Sequence, residues 1–326
     1  MMWLKFLLSA AVLIAAATQL AKYGDVIALR TRWSGMFIGL VLLAAATSLP
    51  EMFTSISSIN QNTPDLAAGN LLGSNTVNMF LLAVIDLMHR KQRILRKAAM
   101  KHALTGSLAV FLIGLVVFFI LADIRLQIGW VGVDSLVLIG AYLIAVRLIQ
   151  SNAAGESHVI EEEEIPEGTP SLLTGVLGFL AAAVVLAVDT PVMTASSAEI
   201  AQATGLGTTF IGSTLVALVT SMPELVTSLA AARIGLYDMA IGNLFGSVMF
   251  NVLAIGLTDL FFTQGRFLAA ISPSFLLVAV LGLLMAGLGL IGNVANLERR
   301  IGFIELDAMA LILLFFGGMW LLYLQG

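Results

Sequence analysis

Thr47-Ser48-Leu49-Pro50-Glu51 interrupts an otherwise apolar run, and Thr220-Ser221-Met222-Pro223-Glu224 interrupts another 173 residues later. Shifting the chain by that offset lays residues 36–86 on 209–259 without a gap, and 20 of those 51 positions are identical. The matches include Gly39/Gly212, Asp65/Asp238, Gly69/Gly242, Asn70/Asn243, Gly73/Gly246, Ser74/Ser247, Asn78/Asn251 and Asp86/Asp259. A shared bias toward apolar residues cannot select proline, glutamate and asparagine at matched places. The chain therefore carries an internal repeat.

Working outward, the residues are 59% hydrophobic and 11% charged, against roughly 25% charged in soluble domains. Lipid is the expected solvent for most of this chain. A spanning helix takes about 20 mostly apolar residues. Ten such runs are expected, near 3–21, 35–59, 66–88, 103–122, 130–149, 172–190, 207–231, 238–258, 269–292 and 304–324. The first run, with Lys5 as a thin basic start and Ala15, Ala16 and Ala17 before a polar stretch, also reads as a signal peptide. Its counterpart at 172–190 favours a retained span. Five spans per repeat is an odd number, so the second copy must enter the membrane from the opposite side. Such inverted repeats characterise secondary transporters, with the ion site near the midplane where the repeats meet. The expected fold is an all-α membrane protein of ten transmembrane helices in two inverted five-helix repeats. Residues 1–150 form the first repeat, 151–171 an acidic cytoplasmic linker holding Glu161 to Glu164, and 172–326 the second.

Basic residues set the orientation. With the N-terminus outside, inner segments hold Lys22, Arg30, Arg32, Arg90, Lys91, Arg93, Arg96, Lys97, Lys101, Arg147, Arg233, Arg299 and Arg300. Outer ones keep Lys5, Arg125 and Arg266. This split, 13 of 16 on one side, predicts both termini outside a cell or inner membrane. No cysteine is present, which excludes disulfides and thiolate chemistry. His89, His102 and His158 fall in polar segments, which argues against a histidine relay across the membrane. No phosphate loop, Ser/His/Asp arrangement or zinc signature supports an enzyme.

Proline removes a backbone donor, so each helix should break at Pro50 and Pro223, freeing carbonyls near Ala44 and Ala217. Open carbonyls at lipid depth must face protein or an aqueous cavity. With Thr47, Ser48, Thr220, Ser221 and one carboxylate at each break, these are hard oxygen donors of the kind sodium and calcium take. A mid-bilayer carboxylate costs at least about 2.5–3.5 kcal/mol and marks a functional site. Ser48-x-x-Glu51 and Ser221-x-x-Glu224 also have the spacing of capping boxes, a role compatible with ion binding. Asn70, Ser74 and Asn78 recur along one helix face, as do Asn243, Ser247 and Asn251, completing a cage of neutral oxygens around two glutamates. Beside them, Gly69-x-x-x-Gly73 and Gly242-x-x-x-Gly246 permit close backbone approach. Asp86, Asp134, Asp189, Asp259 and Asp307 fall near span ends and read as interfacial.

The segments ATSLPE at 46–51 with GNLLGSNTVN at 69–78, and VTSMPE at 219–224 with GNLFGSVMFN at 242–251, resemble the two alpha-repeats of the sodium/calcium exchanger family of cation/calcium antiporters. The resemblance implies ten helices, ligands from the second, third, seventh and eighth spans, and sliding of the first and sixth spans during alternating access. Carried onto this chain, the ligands are Glu51 and Glu224 at the centre, Thr47, Ser48, Thr220 and Ser221 from the breaks, and Ser74, Asn78 and Ser247. The carbonyls of Ala44 and Ala217 complete the set. Three departures stand out: Ala46 and Val219 replace the usual glycine, Val248 the usual asparagine, and Asn251 an aspartate found in several prokaryotic relatives. The implied cargo is calcium exchanged against sodium, with proton coupling as the alternative and a passive cation channel a weaker one. No cofactor, nucleic acid or obligate protein partner is expected beyond the ions and the bilayer.

Overall fold

Backbone in lipid must satisfy its own hydrogen bonds, and a continuous helix does so. The computed structural model describes residues 1–31, 43–89, 99–156, 168–294, 300–301 and 304–325. Helix α1 runs Met2–Thr31, and helical residues 43–47 lead, across a turn at Ser48, to α2, Leu49–Asn60. Then come α3, Pro64–Met88, α4, Ala99–Ala122, and α5, Val133–Glu156. The second half has α6, Leu172–Thr204, α7, Thr208–Thr220, and α8, Met222–Arg233. It continues with α9, Tyr237–Phe261, the short α10, Phe267–Ala270, α11, Phe275–Val294, and α12, Leu306–Gln325. Two antiparallel pairs of two-residue strands, Gln127–Ile128 with Val131–Gly132 and Arg300–Ile301 with Ile304–Glu305, sit in connections. These were not foreseen from the sequence.

Among the described residues, eight helices are long and apolar enough to cross a membrane, and nine if α7 and α8, bent by 42° at their break, are counted as one span. The second expected span, 35–59, is described only from residue 43, where it too is broken at Ser48. Arg32, the basic run Arg90 to Lys97, His158, the acidic run Glu161 to Glu164 and Arg299 lie outside the described residues.

Hydropathy finds where apolar runs stop, and helices continue past that point. Helix α1 goes on to Thr31 and α6 to Thr204, well beyond the expected ends at 21 and 190. At 1.5 Å per residue these helices are about 45 and 50 Å long. The Ser171 hydroxyl starts α6 by accepting the Thr174 N–H at 3.2 Å, and Gly205 ends it at φ 70°. The two long helices pack antiparallel: Lys5 meets Glu199, Ser9 Oγ donates to Asp189 Oδ2 at 2.8 Å, and Tyr23 and Val26 lie against Gly178 and Gly175. Asp189 thus sits in mid-helix, although the Gln61 amide reaches the carbonyl of nearby Pro191, which sets it level with the end of α2.

The interior falls into two apolar clusters. The larger joins α3, α4, α5, α9, α11 and α12. The smaller joins α1 and α6 with Ala46, Leu66, Ile211 and Val216. Burial ranks the spans: 89% of the apolar window of α9 and 78% of that of α3 is enclosed, against 17% for α6. The two helices that carry the asparagine and serine stripes are the axis of the bundle. The α1/α6 pair lines its flank.

At one end of the bundle, Asp259 closes α9 by accepting Gly132 N at 2.7 Å and Phe267 N at 2.5 Å. Nearby, Arg266 joins Asp123 at 2.5 Å and Asp134 at 3.3 Å. Arg266 and Arg125 hold the Asp123 carboxyl below its usual range. Asp134 and Asp259 lie at helix ends, where the surrounding protein encloses both. His102 is also buried, its Nε2 3.7 Å from Asp238 Oδ1 in the first turns of α4, not in a polar connection.

Candidate cation site

The two breaks are the same local structure built twice. Ser48 and Ser221 leave the helical region at φ −92°, ψ 4° and φ −85°, ψ 6°, and a proline follows within two residues. Neither serine hydroxyl caps the helix that begins beside it. The capping-box reading fails for a simple reason: each hydroxyl is engaged elsewhere. Ser48 Oγ donates to Glu224 Oε1 at 2.9 Å, and Ser221 Oγ donates to Glu51 Oε1 at 3.0 Å.

That exchange is one of a set related by the offset of 173. Thr47 Oγ1 donates to Asn243 Oδ1 at 3.3 Å, and Thr220 Oγ1 donates to Asn70 Oδ1 at 2.9 Å. Thr47 also lies 3.4 Å from the Ser247 hydroxyl, and Thr220 3.5 Å from that of Ser74. Every bond in the set joins one half of the chain to the other. Behind it, Asn70 Nδ2 holds the Glu51 carbonyl at 2.8 Å and Ser55 Oγ at 3.0 Å, while Asn243 Nδ2 holds Thr227 and Ser228 at 3.0 Å each. Asn70 and Asn243 are therefore the braces of the two breaks.

The carbonyls of Ala44 and Ala217 behave otherwise than expected. Each keeps its helical partner, accepting Ser48 N and Ser221 N at 3.0 Å, and each also accepts the neighbouring threonine hydroxyl at 3.2 Å. The carbonyls that lose a donor to the prolines are those four residues back from Pro50 and Pro223, at Ala46 and Val219. A metal reaching Ala44 or Ala217 must first displace the threonine.

All twelve candidate residues are buried: Ala44, Thr47, Ser48, Glu51, Ser74, Asn78, Ala217, Thr220, Ser221, Glu224, Ser247 and Asn251. Glu51 and Glu224 are fully enclosed, and no salt bridge among the described residues engages them. Among the described residues, nothing donates a hydrogen bond to their second oxygens, Oε2 in each case, or to Asn78 Oδ1 and Asn251 Oδ1. Two carboxylates enclosed without a basic partner repel each other at low dielectric. The arrangement can accept cations, held by two full charges and neutral oxygens. Among the described residues no three His, Cys, Asp or Glu converge, so the glutamate pair sets the charge of the site.

Two features could not be assigned from the sequence. Gly212–Val216 within α7 is a π turn, of a kind that recurs at functional sites. It receives α3 closely: a Cβ on Gly73 would fall 2.5 Å from Ser213 Cα, and one on Gly69 2.8 Å from Gly212 Cα. Asn75 is the second. It joins the site through Asn251 Nδ2, which donates to Asn75 Oδ1 at 3.1 Å.

Comparison with known proteins decides the class. The family described as sodium/calcium exchanger protein matches residues 1–149 and 174–324. The chain belongs to the sodium/calcium exchanger family. It is accordingly a multi-pass membrane protein of an antiporter family. Among curated proteins it is 28% identical to the putative antiporter CaxA of Alkalimonas amylolytica, over 98% of both chains. Solved exchanger structures share the fold. The H+/Ca2+ exchanger CAX aligns with a TM-score of 0.73 at 15% identity, over 99% of this chain and 85% of that one. The sodium-calcium exchanger NCX_Mj aligns with a TM-score of 0.58 at 22% identity, over 98% of this chain and 99% of that one.

Proposed function

We propose that this exchanger carries calcium against sodium by alternating access around Glu51 and Glu224. The observation that carries the reading is the reciprocal pair Ser48–Glu224 and Ser221–Glu51, two enclosed carboxylates each braced by the opposite half of the chain. Two negative charges balance one calcium or two sodium ions. Thr47, Thr220, Ser74 and Ser247 supply neutral oxygens that suit a monovalent ion and serve no purpose for a proton. Ser48, Ser221, Asn78 and Asn251 complete the donor set, and Ala44 and Ala217 join once the threonine hydroxyls turn away. In this reading the chain forms ten spans as two inverted five-helix repeats, 1–150 and 172–326, joined by a cytoplasmic linker at 151–171, with both termini outside. Proton coupling is the second reading. It draws on the same two carboxylates, with neutral Asn78 and Asn251 beside them, and the CAX and NCX_Mj exchangers span both chemistries by name.

Replacing either carboxylate by its amide is the direct test. Glu51→Gln and Glu224→Gln are each expected to abolish calcium flux in proteoliposomes while the protein stays folded and inserted, since the divalent ion loses half its compensation. Near-normal flux from either variant would remove these residues as ligands.

A further inference from the structure

Asn75 breaks the offset relation that the rest of the site obeys. Its mate in the second half is Val248, and both are buried on the central helices α3 and α9. Asn251 Nδ2 donates to Asn75 Oδ1 at 3.1 Å, while Asn251 Oδ1 is enclosed and has no donor among the described residues. Asn78, the mate of Asn251, has no such tie: the place matching Asn75 holds Val248, which has no polar group to offer, and neither the Oδ1 nor the Nδ2 of Asn78 has a partner among the described residues.

This difference has a chemical consequence. The terminal torsion of asparagine is broad and roughly two-fold, so an unheld carboxamide offers a cation either its oxygen or its NH2 group, and the NH2 group repels. An amide whose NH2 is tied elsewhere presents its oxygen permanently. Ser247, one turn before Asn251 on the same helix, already contacts Thr47 in the site. We infer that Asn75 is a positioning residue that fixes Asn251 as a neutral oxygen donor to the transported cation, while Asn78 is left free to turn. The inference rests on the cation-exchange reading above. It makes the donor set unequal between the halves: one amide is set in advance, and the other must be oriented by the ion.

A double-mutant cycle separates orientation from packing. In proteoliposomes, Asn75→Val is expected to raise the half-saturating calcium concentration about tenfold, the size of one lost contact to a charged group. In an Asn251→Asp background the same change is expected to cost less than about twofold, because a carboxylate has two equivalent oxygens and needs no anchor. Calcium-induced thermal stabilisation of the purified protein should follow the same pattern, giving a readout apart from turnover. An equal penalty in both backgrounds, or none in the wild-type background, overturns the inference. Should Asn75→Val not fold, Val248→Asn asks the mirror question: it gives Asn78 the anchor and is expected to lower half-saturating calcium about threefold. Unchanged or weaker affinity there counts against the inference. Wild-type protein without calcium flux under any imposed gradient strikes at the transport reading instead.

Discussion

Glu51 and Glu224 are each held by a serine from across the repeat, so the two serines should matter equally. Ser48→Ala and Ser221→Ala each remove a hydrogen bond to a carboxylate, an interaction of about 1.5–3 kcal/mol, together with one oxygen donor. Each is expected to raise half-saturating calcium by about ten- to hundredfold, the two agreeing within about threefold. A large effect from one alone would mean that the offset-related bonds are unequal in function. Protons compete with metal for these carboxylates, so acidifying the calcium-loading side is expected to raise half-saturating calcium, and saturating calcium should restore the rate. The residues of both breaks could be read from the sequence, because a carboxylate at lipid depth is too costly to recur, beside a proline, without a function. The serines' actual partners could not. A capping box and a cross-repeat bond share the spacing Ser-x-x-Glu, and only the arrangement of α2 against α8 chooses between them. The departure at Val248 marked the position of Asn75 in the sequence, but its role could not be read there, because it depends on Asn251 across the bundle.

At the scale of elements, the close seat of α3 on the π turn of α7 positions Thr220 against Asn70. Gly73→Ala would put a methyl 2.5 Å from the Ser213 backbone, which cannot yield as a flexible side chain can. The expected cost is about 1–3 kcal/mol, seen as a lower melting temperature together with reduced flux. Gly140→Ala in α5 meets nothing within 4 Å and removes glycine's helix penalty of about 1 kcal/mol, so it should be neutral or stabilising. If both variants behave alike, the contact at Gly73 does not shape the site. The small-x-x-x-small pattern at Gly69 and Gly73 announced a close approach without naming the surface approached. The π turn gave no such notice. Span positions were legible nearly throughout, since apolar runs dictate helices in lipid. The ends of α1 and α6 were not, because residues such as Lys22, Asp189 and Glu199 stop an apolar run without stopping a helix.

For the whole molecule, the repeat and the basic residues make a claim about sidedness that single cysteines can check, since the chain has none of its own. A cysteine replacing exposed Asn60, at the end of α2, is expected to react only with external reagents. One replacing Ser157, in the acidic linker, should react only with reagents that reach the cytoplasm. Reaction of both from one side would contradict the inverted arrangement. Comparison with the exchanger family adds what hydropathy alone cannot supply, a class of transport. The coupling ion then rests on whether the neutral oxygens of Thr47, Thr220, Ser74 and Ser247 hold sodium. The measurement that meets this most directly is calcium uptake into proteoliposomes with equal pH on both sides and sodium inside only, set against vesicles with potassium inside. Calcium should accumulate in the sodium-loaded vesicles and not in the potassium-loaded ones. Equal accumulation with either salt, combined with a response to an imposed pH difference, would contradict sodium coupling and leave proton exchange at the same two glutamates.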